Sequence, residues 1–397
     1  VTKRILFLLS DTGACHRSTA CAIAEALESM SLCGQNQFAL FMPDLWREQM
    51  PWPFCILPAL YRWVTGPGIP CWRFLWTFLH HSSMRVWLLK LITPLIAPQL
   101  VTYLRTVQPD IVVSLHPLMN HLGLEMMRRA ELDVPFVTVV VDLVTAHPIW
   151  FSPDVTLCIV ATEAARHRAL RAGLSEKQVK VLGHPVRRSF IEQASNKHVV
   201  RQTMGLLPNS PVVLLVGSTA GRGPILETAL AIAKQTPHVQ MLIVCGENRH
   251  LYHCLKEQEW PSCTHVLGYV ENMQELMAAA DILVTKAGPS TISEALCMGL
   301  PIIVSNFIPG QEAGNVDYIL ENQVGVYNSE PHEIAHSIQT WLEPANWTLE
   351  EMSDKTRQIA QPRAAQEIAI EVCRQLQEKV TARCTCHQID TNPYSVP

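Results

Sequence analysis

Residues 4–17 read Arg-Ile-Leu-Phe-Leu-Leu-Ser-Asp-Thr-Gly-Ala-Cys-His-Arg. A short, continuously apolar run stops at a polar turn, and a helical pattern follows, with Ala20, Ile23, Ala24, Leu27 and Met30 falling on one face. This is a strand buried on both sides, a tight loop and a crossover helix, the repeating unit of a parallel sheet. Two further runs end in the same way, Asp110–Leu115 before His116 and Pro135–Val141 before Asp142. A polar stretch, Gln193–His198, then interrupts the pattern, and it restarts with runs at 211–217, 239–246, 264–270, 281–285 and 301–305. The chain therefore divides into an α/β domain at 1–190, a second at 191–380 and a tail at 381–397 that carries no fold. In doubly wound sheets ligands bind beyond the carboxyl ends of the strands, so the loops after each strand are where function belongs.

With 397 residues, of which 48% are apolar and 17% charged, the chain can build two cores and is too hydrophobic to be mainly disordered. The net charge of −4 speaks against a surface built for nucleic acid. Thirteen cysteines follow no regular spacing, which suits a reducing, cytoplasmic compartment. Cys384, Cys386 and His387 lack a second ligand pair at zinc-finger distance, so no metal is expected. The sequence shows no leader-like start. It also shows no stretch of 18 predominantly apolar residues free of charges and breakers, so no membrane-spanning helix is expected.

One segment departs from the rest. Residues 45–105 hold six of the ten tryptophans, and Arg47, Arg62, Arg73, Arg85, Lys90 and Arg105 face a single acid, Glu48. Aromatic rings favour the headgroup level and basic side chains favour an anionic leaflet. The reading is an in-plane, peripheral membrane contact through Trp63, Trp72, Arg73, Trp76 and Arg85. The alternative is a helical insertion whose tryptophans pack internally.

In the second domain, Gly217-Ser218-Thr219-Ala220-Gly221-Arg222-Gly223-Pro224 follows a strand and suits backbone contact with phosphate, although it matches neither a Walker loop nor a dinucleotide fingerprint. A second phosphate-binding turn is expected at Lys286, Gly288, Ser290 and Thr291, with Ser290 or Thr291 capping the next helix. Glu294 has two readings, the acid of a capping box or the acceptor for a ribose. Gln311, Glu312 and Asn315 offer the paired donors and acceptors that sugar hydroxyls require.

In these ordered motifs the sequence resembles the monogalactosyldiacylglycerol synthases, inverting glycosyltransferases of the GT-B fold related to the lipid-linked peptidoglycan N-acetylglucosaminyltransferases. The resemblance runs from residue 3 to 378. It rests on Ser10–Gly13 with His16 and Arg17, Pro51–Phe54, Gln108–Met119, Asp142–Phe151 and Gly183–Phe190. In the second half it rests on Gly268–Val270, Thr285–Ala295, Gly299–Ile303 and Gly310–Val316. It implies two Rossmann-like domains facing a central cleft and transfer of galactose or glucose from a UDP-sugar to diacylglycerol, with no cofactor and no metal. The uracil is expected beside Val270, the ribose on Glu294, the diphosphate at Ser290, Thr291 and the 217–223 loop, and the hexose near Gln311, Glu312 and Asn315. His16 matches the family's candidate general base, and a near-neutral pKa suits that task. Asp142 is the competing base or the group that sets the His16 tautomer. Gly13, His116, Pro117, His147 and Trp150 are expected on the acceptor side. Ala14 and Cys15 stand where the family has glycines, and Ser218, Thr219 and Ala220 replace its glycine run. Another acceptor, such as a polyprenyl carrier, and a non-catalytic UDP-sugar or lipid-binding homologue therefore stay open as alternatives.

Overall fold

The apolar runs become strands with side chains buried on both faces, as parallel sheets between helical layers demand. A computed structural model describes residues 2–389 except 12, 33–36, 194–196, 218–220, 222 and 344–347; the side chains of 14, 32 and 379–389 also lie outside the description. The described chain forms two compact units.

The first unit holds β1 (Lys3–Leu8), β2 (Phe38–Phe41), β3 (Ile111–Ser114), β4 (Phe136–Val139), β5 (Leu157–Val160) and β6 (Val179–Val181). They form one parallel sheet in the order β2-β1-β3-β4-β5-β6. Its helices are α1 (Ala14–Leu32), α2 (Leu45–Gln49), α3 (Leu57–Val64), α4 (Ile69–His80), α5 (Ser82–Val107), α6 (Pro117–Ala130) and α7 (Glu163–Arg171). The second unit carries β7 (Val212–Val216), β8 (Gln240–Val244), β9 (Thr264–Leu267), β10 (Ile282–Lys286), β11 (Ile302–Asn306) and β12 (Gly325–Tyr327), parallel in the order β12-β11-β10-β7-β8-β9. Around it lie α8 (Arg188–Gln193), α9 (Lys197–Thr203), α10 (Ile225–Gln235), α11 (Arg249–Lys256), α12 (Met273–Ala279), α13 (Pro289–Met298), α14 (Ala313–Glu321), α15 (Pro331–Trp341) and α16 (Thr348–Ile359).

The last helix, α17 (Ala364–Ile389), corrects the linear division of the chain. Residues from Arg363 onward belong with the first unit, where Ile368, Ala369, Val372 and Leu376 are buried in its core. Glu371 on this helix accepts hydrogen bonds from Lys180 of β6 at 2.7 Å and from Arg374 at 2.6 Å. The division also moves from 190/191 to Gly183/His184, and Asp142–Thr145 packs with the second unit. The tail expected to be unfolded from 381 continues α17 as far as Ile389; the Cys384, Cys386 and His387 side chains lie outside the described residues.

The expectation that no segment is long and apolar enough to span a bilayer is corrected by α5, which meets that test by length and composition. Pro94 and Pro98 lie inside this helix, and its second half buries Ile96, Ala97, Leu100 and Leu104 against the sheet. That half packs in the core of the first unit, whereas Val86, Trp87, Leu91 and Leu95 of the same helix stay exposed.

Ile368→Ala removes a fully buried side chain from the clasp between α17 and the first unit. It should lower that unit's unfolding free energy by about 2–4 kcal/mol. Urea unfolding followed by near-ultraviolet circular dichroism measures this, and a loss below about 0.5 kcal/mol would show that α17 is only loosely docked.

Candidate active site

In the first sheet the chain leaves β1 toward β2 on one side and β3 toward β4 on the other, so a crevice opens beyond the ends of β1 and β3. His16 lies in the first turn of α1, directly above that point. Its Nδ1–H donates to the carbonyl of Leu115, the residue after β3, at 2.5 Å. The Leu115 N–H in turn donates to the Leu8 carbonyl at the end of β1, at 2.9 Å. The two central strands thereby fix the ring's orientation and tautomer, and leave the Nε2 lone pair as the acceptor of a further proton. The rings of His116 and Trp150 flank it, with centroids 5.2 and 6.3 Å away.

Burial pushes the His16 pKa down to about 4, against the opposing pull of the Leu115 hydrogen bond and of Asp11. The expectation of a near-neutral value is corrected: the imidazole is fully neutral at physiological pH. His116, buried and beside His16, is held well below the usual histidine range for the same reason, and its Nδ1 finds no partner among the described residues. Arg17 grips Asp11 through two hydrogen bonds of 3.0 and 2.9 Å and donates to the Met42 carbonyl at 2.6 Å, which ties the 10–17 loop to the end of β2. Gly13 is exposed with open space where a side chain would stand, so no close backbone approach requires glycine there.

The Leu115 carbonyl sets the His16 tautomer. Asp142 is buried and accepts from Gln311 Nε2 at 3.3 Å, while Thr145 donates to the Gln311 carbonyl at 2.8 Å and receives the Gly314 N–H at 3.2 Å. A side chain on Gly314 would meet Val144 Cγ1 at 2.8 Å, so this glycine permits the contact.

Pro117 opens α6, where its missing N–H costs nothing, and His116 precedes it. His147 is buried: its Nδ1 accepts the Ile149 N–H at 3.2 Å and its Nε2–H donates to the Trp76 carbonyl on α4 at 3.1 Å. Burial, with His80, Arg85 and Arg168 nearby, pushes its pKa down to about 4. Trp150 is buried as well, and its carbonyl accepts from Asn120 at 2.7 Å.

The second sheet has its own reversal point, between β7 and β10. Beyond β10 the chain enters α13 through Gly288, which is the N-cap, with Pro289 at the first helical position and no side-chain cap. This corrects the capping reading. Ser290 and Thr291 stand inside the first turn, where their N–H groups have no intrahelical acceptor, and Glu294 lies too far along the helix to be the acid of a capping box. Lys286 forms an ion pair with the buried Glu312, whose other oxygen accepts the Ile308 N–H at 2.8 Å. A Cβ on Gly288 would sit 3.3 Å from the Lys286 ammonium, so that charge lies at the positive end of α13. Asn315 is buried and donates to the Ala287 carbonyl at 2.9 Å. This bond anchors the turn that leads into α13, and the Asn315 Oδ1 has no partner among the described residues.

Beyond β7, Ser218 and Thr219 lie outside the described residues. Gly217 ends the strand at its carboxyl edge. Gly221, at φ +60°, would place a Cβ 2.1 Å from the carbonyl of Cys245, the residue after β8, so packing there demands glycine. Val270 is half-buried after β9. His184 escaped sequence reasoning, which read its surroundings only as a boundary and a shared motif. It is buried, and its Nε2 lies 3.2 Å from the Ser290 hydroxyl at the head of α13. Among the described residues no group of three or more His, Cys, Asp or Glu side chains could hold a metal ion.

The aromatic and basic segment forms α2 to α5. Trp72 is buried against Tyr61 and Trp76, with both ring centroids 5.5 Å away, and Arg85 is turned inward to cap the Leu79 and His80 carbonyls. Trp72 is thereby corrected from a surface contact to a packing residue, while Trp76 and Arg85 are half-buried. The exposed rings are Trp52, Trp63, Phe74 and Trp87, with Arg73 beside them. Such an accumulation of apolar side chains in water is a mark of an interaction surface.

Residues 16–186 match the model of monogalactosyldiacylglycerol (MGDG) synthase, and residues 212–368 match the glycosyltransferase family 28 C-terminal domain. The chloroplastic monogalactosyldiacylglycerol synthase of Spinacia oleracea is 38% identical over 395 residues, covering 96% of this chain and 74% of the relative. The chloroplastic monogalactosyldiacylglycerol synthase 1 of Arabidopsis thaliana is 38% identical over 376 residues, covering 91% and 69%. The chain belongs to the monogalactosyldiacylglycerol synthase family. Among solved structures, Acinetobacter baumannii MurG aligns with a TM-score of 0.59 at 16% identity over 94% of this chain and 99% of that one. The UDP-GlcNAc 2-epimerase of Neisseria meningitidis aligns at 0.62 and 16%, over 94% and 99%. At such identities these likenesses speak for the fold, which is the GT-B type of two Rossmann-like units.

The neutral histidines of this family member make its first unit acid-labile. His16, His116 and His147 titrate below the unfolded value of 6.5, so between pH 6.5 and about 4 the unfolded chain binds more protons than the native one. Their contribution is fully present above pH 6.5 and is lost as pH falls through that window. For the deeply buried His147 the loss between pH 7 and 5 is about 1–2 kcal/mol. Calorimetry should show the first unit's Tm falling over this range, and a flat Tm would contradict the neutral, buried state.

Proposed function

We propose that this family member moves a galactosyl group from UDP-galactose to the free hydroxyl of diacylglycerol, with inversion at the anomeric carbon. The observation that carries the proposal is His16, held by the Leu115 carbonyl in the tautomer that leaves Nε2 free to take a proton. The acceptor oxygen attacks the anomeric carbon from the face opposite the diphosphate, its proton passes to His16 Nε2, and the bond from the anomeric carbon to the UDP oxygen breaks. Because the imidazole is neutral before the reaction, no proton has to be removed from it first. The side chains of His116 and Trp150 make the wall along which the acceptor's glycerol end would lie.

On the donor side the first turn of α13 supports the diphosphate. The first-turn N–H groups, the Ser290 and Thr291 hydroxyls and the Lys286 ammonium all carry positive potential toward the charge that develops as UDP departs. His184 orients the Ser290 hydroxyl. Released from a capping role, Glu294 is the acceptor for the ribose hydroxyls. Gln311, Glu312 and Asn315 are the hexose contacts, with Val270 beside the uracil. No metal is assigned to the chemistry.

His16→Ala should reduce turnover at least about a hundredfold while leaving the Kd for UDP within a factor of two. The assay is transfer of labelled galactose to diacylglycerol, with the lipid product identified by mass. Near-normal turnover would remove His16 from the base role, and a product formed only with a different lipid would move the acceptor.

The exposed rings of α3 to α5 support peripheral attachment to a bilayer with anionic lipids, with Arg73 and Lys90 supplying charge. Replacing Trp63 and Trp87 with Ser should weaken binding to vesicles containing phosphatidylglycerol at least about tenfold in a sedimentation assay, whereas replacing the buried Trp72 should act through stability instead. Full retention by the double variant would place the lipid-facing surface elsewhere.

A further inference from the structure

The turn 147–150 joins two parts of the first unit that sequence separates. On one side His147 reaches α4: its Nε2–H donates to the Trp76 carbonyl at 3.1 Å, and its ring packs on Trp76 and His80 at centroid distances of 4.5 and 5.4 Å. On the other side the turn is pinned to α6, since the Ile149 carbonyl bonds His121 Nε2 at 3.1 Å and the Trp150 carbonyl accepts from Asn120 at 2.7 Å. Asn120 is itself fixed by the Thr138 hydroxyl of β4 at 3.1 Å. The Trp150 ring then lies against His16, 6.3 Å between centroids. His147 thus hydrogen-bonds α4 directly, and α4 carries the exposed Phe74 and Arg73.

The two ring nitrogens of His147 are used in opposite senses. Nδ1 accepts the Ile149 N–H and so caps the turn, while Nε2 donates to α4. Capping alone would be served by Asn, Asp or Ser, which accept an N–H two residues on. A histidine is needed only if the second bond matters, because only its ring spans from the turn to the helix. We propose that His147 is a positioning residue that transmits the seating of α4 at a lipid surface to the His16 ring through the 147–150 turn. The inference rests on the proposed glycosyl transfer to a membrane lipid, and adds to it a physical link between docking and the base.

His147→Asn tests it, because Asn keeps the cap on Ile149 and is too short to reach the Trp76 carbonyl. Turnover is measured with diacylglycerol in phosphatidylglycerol-containing vesicles and with monomeric dioctanoylglycerol, using UDP-galactose as donor. The wild-type protein should turn over faster on vesicles. In the variant the ratio of turnover on vesicles to turnover on the monomeric acceptor should fall about tenfold or more, while vesicle partition and the Kd for UDP stay within about twofold. Equal losses on both acceptors, an unchanged advantage, or loss of vesicle partition would each overturn the proposal. Hydrogen exchange of the wild-type protein adds a measurement that does not depend on the variant folding: vesicle binding should slow exchange in peptides spanning 147–151, and no change there would also overturn it. Absence of product from the wild-type protein with either acceptor would overturn the glycosyl-transfer reading itself.

Discussion

Each unit's candidate site depends on the reversal of direction at the centre of a parallel sheet. Where neighbouring strands send their crossovers to opposite sides, no helix covers their carboxyl ends and the loops there face open space. In the first unit this occurs between β1 and β3, and in the second between β7 and β10. Everything with chemical capacity gathers at those two points. His16 and Leu115 follow β1 and β3, and the Gly217 loop and the Lys286–Thr291 turn follow β7 and β10.

The reversal points alone would give loops without fixed geometry. What fixes them is a small set of buried polar contacts. The Leu115 carbonyl sets the His16 tautomer, Asn315 holds the Ala287 carbonyl, and Glu312 holds Lys286 against the start of α13. Such contacts are costly to leave half-made in a low-dielectric interior, so they specify one arrangement. The neutral state of the three histidines has the same origin. Burial removes the water that would stabilise the imidazolium, and the first unit stores a sensitivity to acid as a result.

The helices α2 to α5 join an enzyme-like core to an aromatic surface. The inner faces of this insertion bury Trp46 and Trp72, while Trp63, Phe74 and Trp87 remain in water. Aromatic side chains therefore serve two ends in one segment, and composition cannot separate them.

The repeated run of apolar strand, polar turn and helix determined the fold class, because a strand buried on both faces must be apolar throughout. It located eight of the strands, whereas β2, β5, β6 and β12 are short or lie at or near sheet edges and leave a weaker pattern. The ordered motifs determined the family and singled out His16, Lys286 and Ser290, which lie in the first turn of α1, at the end of β10 and in the first turn of α13. Tertiary structure alone decided which partner each received. Leu115, 99 residues from His16, sets its tautomer, and His184 meets Ser290 across 106 residues. It also decided that α17 closes the first unit's core, that Gly288 rather than a hydroxyl begins α13, and that Trp72 is interior. The physical reason is common to all of these. Periodicity records which face of an element is buried, whereas a hydrogen bond between distant loops depends on angles that exist only after the sheets have been wound.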